Sequence, residues 1–349
     1  MEFLSSTLKE IALYVVDPNQ RLFWGYLLSA LIMAITLYFV QGRTQRQRHH
    51  LSNEYEELNK NEKRELEKNE KQENLISFLF PKRIYFARSA INDYALFILN
   101  KLFRAALFPL IVLTMVPVAL AVSSGFEWLF GAFKPFVLSP ISIMVIFTAL
   151  LFVFDDFTRF FLHYLLHKVP FLWEFHKVHH SATVLTPFTV YRSHPVENYL
   201  YACRMALTQG FVVGLCYYLF GPTLKMIDII GANVFVFAFN VMGSNLRHSH
   251  IWLSWGDKIE GIFLSPAQHQ IHHSDNVKHF DKNFGTALSV WDRLFHCFIP
   301  ASQVGVLSFG IGKEGKKHKS IFNMYTQPFV QTYKKLKLRF PLFVNRPQK

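Results

Sequence analysis

The stretch that decides the fold runs from Asp156 to His180 and reads D-F-T-R-F-F-L-H-Y-L-L-H-K-V-P-F-L-W-E-F-H-K-V-H-H. Its first half places His163 and His167 four residues apart, which puts both imidazoles on one face of a helix. Asp156 lies seven residues before His163 and projects from that same face. After a break at Pro170, a second set of histidines occurs at i, i+3 and i+4, again one helical face: His176, His179 and His180.

A second copy of this three-histidine spacing lies far downstream, in H-Q-I-H-H at His269, His272 and His273. A single histidine beside an apolar helix is usually a hydrogen-bonded structural residue, but that interpretation does not explain the repeated spacing. Imidazole ligands favour Fe, Zn, Cu or Ni over Mg or Ca, which prefer oxygen. No H-E-x-x-H is present, so a zinc peptidase would lack its usual glutamate base. The three motifs offer enough imidazoles for two metal ions and predict a metal site.

The composition indicates a membrane protein. Hydrophobic residues make up 51% of the 349 residues and aromatic residues 16%, whereas charged residues make up only 17% and are clustered. Long apolar runs with this composition are typical of a multi-pass membrane protein. The net charge of +13 is then explained by basic segments that face lipid head groups, and no nucleic-acid motif is present. Cys203, Cys216 and Cys297 are scattered, which argues against a disulfide framework or a thiolate zinc site.

Five apolar segments are candidates for crossing the bilayer. Arg43, Arg46 and Arg48 follow the first segment, so they predict that this side is cytoplasmic and that the N-terminus lies outside. The other four segments form two predicted hairpins, each of which returns the chain to the cytoplasmic side. Both histidine-bearing regions are therefore expected on one face of the membrane. The segments are approximately 22–40, 107–122, 136–154, 199–220 and 226–242.

The three histidine motifs, with membrane hairpins between them, resemble the fatty acid hydroxylase/sterol desaturase superfamily. The resemblance extends to R-S-H-P-V-E at 192–197, to an H-S pair after the second hairpin and to N-F-G followed by W-D. It covers about residues 155–298 and implies an all-α, multi-pass membrane protein. In that fold, a cytoplasmic histidine-ligated dimetal site caps two membrane hairpins. The implied activity is the O2-dependent oxidation of a lipid C–H bond by a diiron enzyme.

The resemblance also implies roles for individual residues, although it leaves the catalytic residues other than ligands unknown. The resemblance alone adds His194 and His248 to the ligand set. His250 is the alternative to His248. Whether His279 is a ligand stays open. Hydrogen bonds to imidazole N–H groups are expected from Asp156, Glu197, Asn283 and Asp292, for which capping of helix ends or loops is the alternative. The predicted metal ligands are His163, His167, His176, His179, His180, His194, His248, His269, His272 and His273.

The implied enzyme is a lipid hydroxylase or desaturase that acts on a sterol or fatty acyl chain in lipid biosynthesis. Its cofactors would be two iron ions, with zinc as an alternative occupant in purified samples, and its substrates a membrane lipid and O2. No H-P-G-G haem segment is present, so electrons are expected from a separate donor of the cytochrome b5 or ferredoxin type. The expected location is a bacterial inner membrane or the endoplasmic reticulum, with the active site on the cytoplasmic side.

The predicted domain organisation has four parts. They are an N-terminal transmembrane anchor (1–41), a charged cytoplasmic linker (42–82), a fatty acid hydroxylase/sterol desaturase-like catalytic domain (83–300) and a basic cytoplasmic tail (301–349). The linker is interpreted as a solvated helix or flexible segment, because its acidic and basic residues nearly balance and large apolar residues are rare. The tail is expected on the anionic cytoplasmic leaflet.

Three alternatives remain open. S-P-A-Q-H-Q-I-H-H followed by D-K-N-F-G resembles alkylglycerol (ether-lipid) monooxygenase too. A histidine-rich metal transporter is disfavoured because transporters place ionisable residues in mid-membrane, whereas these motifs lie at the ends of apolar segments. A membrane zinc hydrolase lacks an obvious carboxylate base. The sequence does not determine the lipid, the carbon attacked or the oligomeric state.

Overall fold

The computed structural model describes residues 13–41, 74–111, 113–222 and 224–339, and the architecture is mostly helical, as predicted. The helices are α1 (Trp24–Gln41), α2 (Leu75–Leu79), α3 (Lys82–Tyr85), α4 (Arg88–Ile111), α5 (Met115–Phe130), α6 (Pro140–Lys168), α7 (Pro170–His180), α8 (Pro195–Phe220), α9 (Val234–Val241), α10 (Asp257–Glu260), α11 (Pro266–His272), α12 (Val290–Leu294) and α13 (Ile321–Arg339). Strands β1 (Asp228–Ile229) and β2 (Ala232–Asn233) pair antiparallel. Short 3-10 helices cover Pro187–Tyr191, Ser244–His248, Val277–His279, Ala301–Gln303 and Gly312–His318.

Helix α6 joins a predicted membrane segment to the first histidine motif. Its start is fixed by Ser139, whose side chain accepts a hydrogen bond from the Ser142 N–H, and by Pro140 at the first helical position. It then runs for 29 residues, about 43 Å, without a break. The apolar part comes first, so His163 and His167 lie in the last two turns. Pro170 starts α7 immediately afterwards, as predicted, and the two histidine-bearing helices are direct neighbours.

Helices α6 and α8 are long and apolar enough to cross a membrane, by length and composition. Trp24–Val40 and Met115–Phe130 are shorter apolar helices. Helix α8 packs against α6 and α5, and the contact with α5 is close because two glycines face it. A Cβ on Gly210 would lie 2.5 Å from Val118 Cβ, and one on Gly214 would lie 2.5 Å from the Ala119 carbonyl oxygen. Small residues that let helix backbones approach are typical of membrane helix packing.

Two of the predicted membrane segments differ in the structure. The run 107–122 is divided between α4 and α5, since α4 ends at Ile111 and α5 begins at Met115. The run 226–242 begins with the β1–β2 hairpin, in which Gly231 has a positive φ of 83°, and Asn233 then caps α9 through the Phe235 N–H. Helix α9 has eight residues, about 12 Å, which is too short for a bilayer core of about 30 Å. The five predicted passes are therefore not confirmed.

The C-terminal part of the described chain packs onto α7 and α4. Met324 of α13 is fully buried together with Leu96 and Val178, and Lys335 Nζ lies 2.5 Å from Glu174 Oε1. Part of the predicted basic tail is thus folded against the histidine-bearing region. The linker residues 42–73, including the three arginines behind the first apolar segment, lie outside the described residues, and so does 340–349.

Candidate metal centre

Nine histidines converge into two adjacent groups. They come from α6, from α7, from α11 and the residue that follows it (His273), and from the 3-10 helix Ser244–His248. Within each group, one ligand nitrogen per residue can be chosen so that all lie within 4.8 Å of one another. The first group has five members and the second has four. The groups are His163, His167, His176, His180 and His272, and His179, His248, His269 and His273.

The spacing between ring nitrogens fits ligands of a common ion. In the four-histidine group, the Nε2 atoms of His248, His269 and His273 lie 3.1, 3.1 and 3.3 Å apart. An ion with metal–nitrogen bonds of about 2.1 Å places neighbouring ligand nitrogens about 3.0–3.4 Å apart. In the five-histidine group, Nε2 of His272 is buried without a hydrogen-bond partner among the described residues. These donor sets therefore fit two metal ions that prefer nitrogen.

Backbone carbonyls fix the orientation of three of these rings. Because a carbonyl can only accept, each Nδ1 must carry the proton, which leaves Nε2 free as a ligand atom. The bonds are His163 Nδ1 to the Phe284 oxygen at 2.8 Å, His272 Nδ1 to the Lys282 oxygen at 2.8 Å and His179 Nδ1 to the Arg192 oxygen at 3.2 Å.

Carboxylates lie behind two further rings of the five-histidine group. Glu197, buried at 4% exposure, accepts a hydrogen bond of 3.0 Å from His176 Nδ1. Asp281 Oδ1 lies 3.5 Å from His167 Nδ1, and its other oxygen pairs with Lys168 Nζ at 2.6 Å. A carboxylate behind a ligating histidine holds the ring and increases its basicity. The predicted contact of Glu197 with an imidazole is present in the structure.

His269 differs because its Nδ1 receives a hydrogen bond instead of donating one. Nη2 of Arg247, which can only donate, lies 3.1 Å from this atom. The same guanidinium donates to the backbone oxygens of Thr286 and Gly285 at 2.8 and 3.1 Å. Neutral His269 therefore carries its proton on Nε2 in this arrangement; as a neutral ligand through Nε2, it would instead carry the proton on Nδ1.

Three predicted hydrogen-bond partners of the imidazoles act instead on the loop that carries the carbonyls. Asp292 accepts from the N–H groups of Phe284 and Gly285 at 2.6 and 3.0 Å. Asp156 accepts from the N–H groups of Ala287 and Leu288 and from Trp291 Nε1 at 2.7–3.0 Å. Asn283 binds the backbone of Gln268 and Ile299. These residues thus satisfy buried loop groups and hold the loop against His163 and His272.

Position 285 of this loop requires glycine because there is no space for a side chain. A Cβ at this position would lie 2.7 Å from both Asp292 Oδ2 and the Leu288 carbonyl oxygen. Asp281 and Asn283 have positive φ angles of 59° and 55°, which aspartate and asparagine tolerate better than most residues. The segment D-K-N-F-G therefore forms a tight loop whose backbone faces the histidines.

Burial keeps the imidazoles outside α6 in their neutral form. It lowers the pKa of His176 to about 3 and that of His179 to about 4. Desolvation likewise places the pKa values of His180, His248, His269, His272 and His273 well below 6.5. Neutral imidazole is the form that binds metal, so the site is prepared for ligation at neutral pH.

The remaining predicted histidines lie outside both groups. His194 caps α8, with its Nδ1 accepting from the Val196 N–H at 3.1 Å and its Nε2 facing the Tyr325 oxygen at 3.1 Å. Both nitrogens of His194 thus contact the protein backbone, and the ring lies outside the two groups. His250 Nε2 binds the Phe78 oxygen at 2.7 Å, and His279 Nδ1 faces Ser274 Oγ at 3.0 Å. His248, rather than His250, joins the cluster.

Arg247 and Asp281 were not anticipated from the sequence. Arg247 directly precedes His248, and Asp281 opens D-K-N-F-G, so both lie within segments that already stood out. The contacts of the histidines with the carbonyl oxygens of Phe284, Lys282 and Arg192 could not be predicted from side-chain identity, because any residue supplies a backbone oxygen.

The family model described as fatty acid hydroxylase matches residues 148–297. Ornithine lipid hydroxylase OlsE of Rhizobium tropici is 29% identical over 225 residues, which cover 64% of this chain and 59% of that protein. Alkylglycerol monooxygenase of Xenopus tropicalis is 27% identical over 148 residues, or 42% of this chain and 29% of that protein. Delta(7)-sterol 5(6)-desaturase of Eremothecium gossypii is 32% identical over 147 residues, or 42% and 36%.

The chain thus spans 59% of the first of these relatives and about a third of the other two. No solved structure is significantly similar to it. All the clustered histidines lie within the matched segment. The resemblance indicated by the histidine spacing is confirmed.

Proposed function

We propose that this chain is an O2-dependent membrane oxidoreductase that hydroxylates or desaturates a lipid, because residues 148–297 match the fatty acid hydroxylase family model. The observation that carries the proposal is the convergence of nine histidines of the described residues, eight of them buried, into two adjacent groups. Two iron ions are the proposed cofactors. Zinc is the alternative occupant in purified samples, since imidazole binds both metals.

When bound, a pair of redox-active ions supplies the electron transfer and the open coordination positions that oxidation of an unactivated C–H bond requires. The chain contributes the holding and orienting of ligands. Glu197 fixes the His176 ring, and the loop at 281–285 fixes His163 and His272 through its backbone. Helices α6, α7 and α11 bury most of the ligand side chains.

The relatives act on different lipids by name: an ornithine lipid, alkylglycerols and a sterol. The family match therefore supports a lipid substrate but leaves its class open. An alkylglycerol monooxygenase-like activity is the second candidate, favoured by the similarity to four such proteins. We further propose that a separate carrier of the cytochrome b5 or ferredoxin type delivers electrons.

The proposed location is a bacterial inner membrane or the endoplasmic reticulum. The metal centre is placed on the cytoplasmic side, at the ends of α6 and α8. Both helices are apolar enough to span, and both begin or end beside the histidines. This arrangement lets a lipid approach sideways from the bilayer.

The test is a comparison of cellular lipids with and without the protein by mass spectrometry. The expected result is a lipid that gains one oxygen or loses two hydrogens, only when O2 and the unmodified chain are present. His180→Ala serves as the matched control, since it removes one member of the five-histidine group. A product that forms equally without O2, or with the His180 variant, contradicts the proposal.

A further inference from the structure

Two cavities adjoin the histidine groups and each other. The inner one, of about 270 Å³, is lined by histidines of both groups, and the outer one measures about 300 Å³. Together they reach the size typical of small-molecule sites. Five residues line both cavities, so the two spaces are direct neighbours. They are Arg159, Val190, Ser193, Asn198 and Tyr201.

The outer cavity opens between α4 and α8. Phe103 of α4 and Met205 of α8 line it and are 41% and 38% exposed. Pro195, the first residue of α8, lines it as well. The end of a membrane-spanning helix lies at the depth of the lipid head groups. A lipid can therefore enter this opening with its head group at the level of the cavity.

The lining of both cavities is strongly basic. Glu197 is the single acidic residue that lines either cavity in the part of the chain that the structure describes. Asp155 lies nearby, but this one carboxylate pairs with both Arg159 and Arg204, at 2.7 and 2.9 Å. The basic lining residues are Arg21, Lys101, Arg104, Arg159, Arg204 and Arg247.

Two of the three arginines that line the inner cavity, Arg21 and Arg247, have neutral partners among the described residues. Arg21 Nη1 donates to Asn240 Oδ1 at 2.6 Å and to Ser244 Oγ at 2.7 Å. Arg247 donates to backbone oxygens and to His269. Neutral imidazole ligands add no negative charge. The inner cavity therefore favours an anionic ligand.

Arg159 is the residue best placed to bind that anion. Its Nε donates to Asp155, and no described residue accepts a hydrogen bond from its two terminal nitrogens. A guanidinium presents such a pair of N–H groups in the geometry that suits a carboxylate or phosphate. Arg159 also precedes His163 by four residues on α6. Arg159 shares the lining of the inner cavity with His163 and His176 of the five-histidine group.

We propose that the two adjoining cavities bind the anionic head group of a lipid, a phosphate or a carboxylate, with Arg159 and Arg21 as its anchors. Carbons within a few bonds of the head group are then the ones presented to the metal centre. This statement on the oxidised position rests on the proposed function, whereas the binding preference does not. Neutral sterols and alkylglycerols lack the group that would compensate these arginines.

The test uses the full chain purified in a nonionic detergent and measures lipid binding by native mass spectrometry. The probes are dioctanoyl phosphatidylglycerol and dioctanoylglycerol, which share acyl chains and differ in the anionic phosphate. We expect at least tenfold tighter binding of the phosphatidylglycerol. Arg159→Gln should remove about tenfold of this affinity and leave dioctanoylglycerol unchanged. Arg83→Gln, an exposed arginine outside both cavities, should change neither.

Equal binding of the two lipids by the unmodified chain overturns the proposal without any variant. Unchanged phosphatidylglycerol binding in both Arg159→Gln and Arg21→Gln overturns it too, provided that metal content shows a folded site. Arg159→Lys keeps the charge and replaces the glutamine variant if that one does not accumulate; it should retain part of the affinity. Inorganic phosphate that binds as tightly as the lipid would show a free-phosphate site and overturn the head-group assignment.

The outcomes separate this proposal from the proposed function. Preferential binding of phosphatidylglycerol without any O2-dependent lipid product supports the head-group site and counts against the oxidation. Oxidation of neutral lipids by a chain without binding preference does the reverse.

Discussion

Replacing Glu197 by glutamine should weaken the binding of one metal ion and leave the binding of the other nearly unchanged. Glu197 is buried at 4% exposure, and its Oε1 accepts the His176 Nδ1–H bond at 3.0 Å. Glutamine keeps an acceptor of the same shape but removes the charge. His176 belongs to the five-histidine group, so the effect should be concentrated on the ion held there.

The magnitude follows from the strength of that contact. A hydrogen bond to a charged group contributes about 1.5–3 kcal/mol. Loss of an orienting partner behind a ligand typically lowers metal affinity about 10- to 100-fold, or about 1.4 to 2.8 kcal/mol. We therefore expect one of the two ions to bind about 10- to 100-fold more weakly. The four-histidine ion should change by less than about twofold, because Glu197 accepts no hydrogen bond from that group.

The assay is competition with a graded series of chelators, with metal per chain measured after each step under anaerobic conditions. Glu127→Gln provides the matched control, since Glu127 is exposed on α5 and away from the histidines. Two ions weakened to the same extent, or an unchanged release profile, would refute the assignment of Glu197 to the five-histidine group.

Four further outcomes are expected. Anaerobically purified protein should carry close to two irons per chain, and His272→Ala should lose at least one; a single ion with oxygen-rich ligation in active protein would refute the diiron centre. His179→Ala and His273→Ala should accumulate in the membrane yet be inactive, and the double variant should be no worse than either single, since ligands of one catalytic unit are strongly non-additive; additive, partial losses would indicate structural histidines. Reporter fusions near Lys63, in α7 and in the C-terminal tail should all report the cytoplasm, and opposite sides for any two would contradict the topology. In the folded chain, the pKa values of His176 and His179 are about 3 and 4, below the ordinary value of 6.5. The metal-free protein should therefore be most stable above pH 6.5, and its melting temperature should fall as the pH falls toward 4. A melting temperature that does not depend on pH over this range would contradict the buried, neutral state of these two rings.

The membrane segments show how far apolar runs can predict elements. A continuous run such as 107–122 carries no periodic signal for the point where one helix ends, whereas in the structure α4 ends at Ile111 and α5 begins at Met115. In 226–242, Gly231 and Asn233 are residues typical of turns, but the surrounding hydrophobic residues favoured the prediction of a continuous membrane helix. Average hydropathy responds to composition, whereas helix ends depend on individual backbone groups and their caps.

Eight of the nine clustered histidines followed from spacing alone, because the i, i+3 and i+4 positions of a helix share a face whatever the rest of the chain does. The ninth, His248, came only with the family resemblance, and so did His194, which lies outside both groups. The difference between these two lies in local backbone: His194 is the N-cap of α8, where its Nδ1 is taken by the Val196 N–H, whereas His248 ends a 3-10 helix beside α11.

What the sequence by itself determined was the chemistry: a helical, apolar chain with repeated histidine faces that suit two nitrogen-preferring ions. What only the tertiary structure decided was which groups meet: the division into five and four histidines, the carbonyls of 282 and 284 behind His272 and His163, and the arginine-lined cavities beside them. The physical reason is the range of the interactions. Helical periodicity is local and can be read from residue types. Backbone oxygens are the same in every residue, so the sequence does not show which of them will contact a histidine. Contacts such as that of His163 with Phe284 also join residues 121 positions apart. Packing alone brings such pairs together.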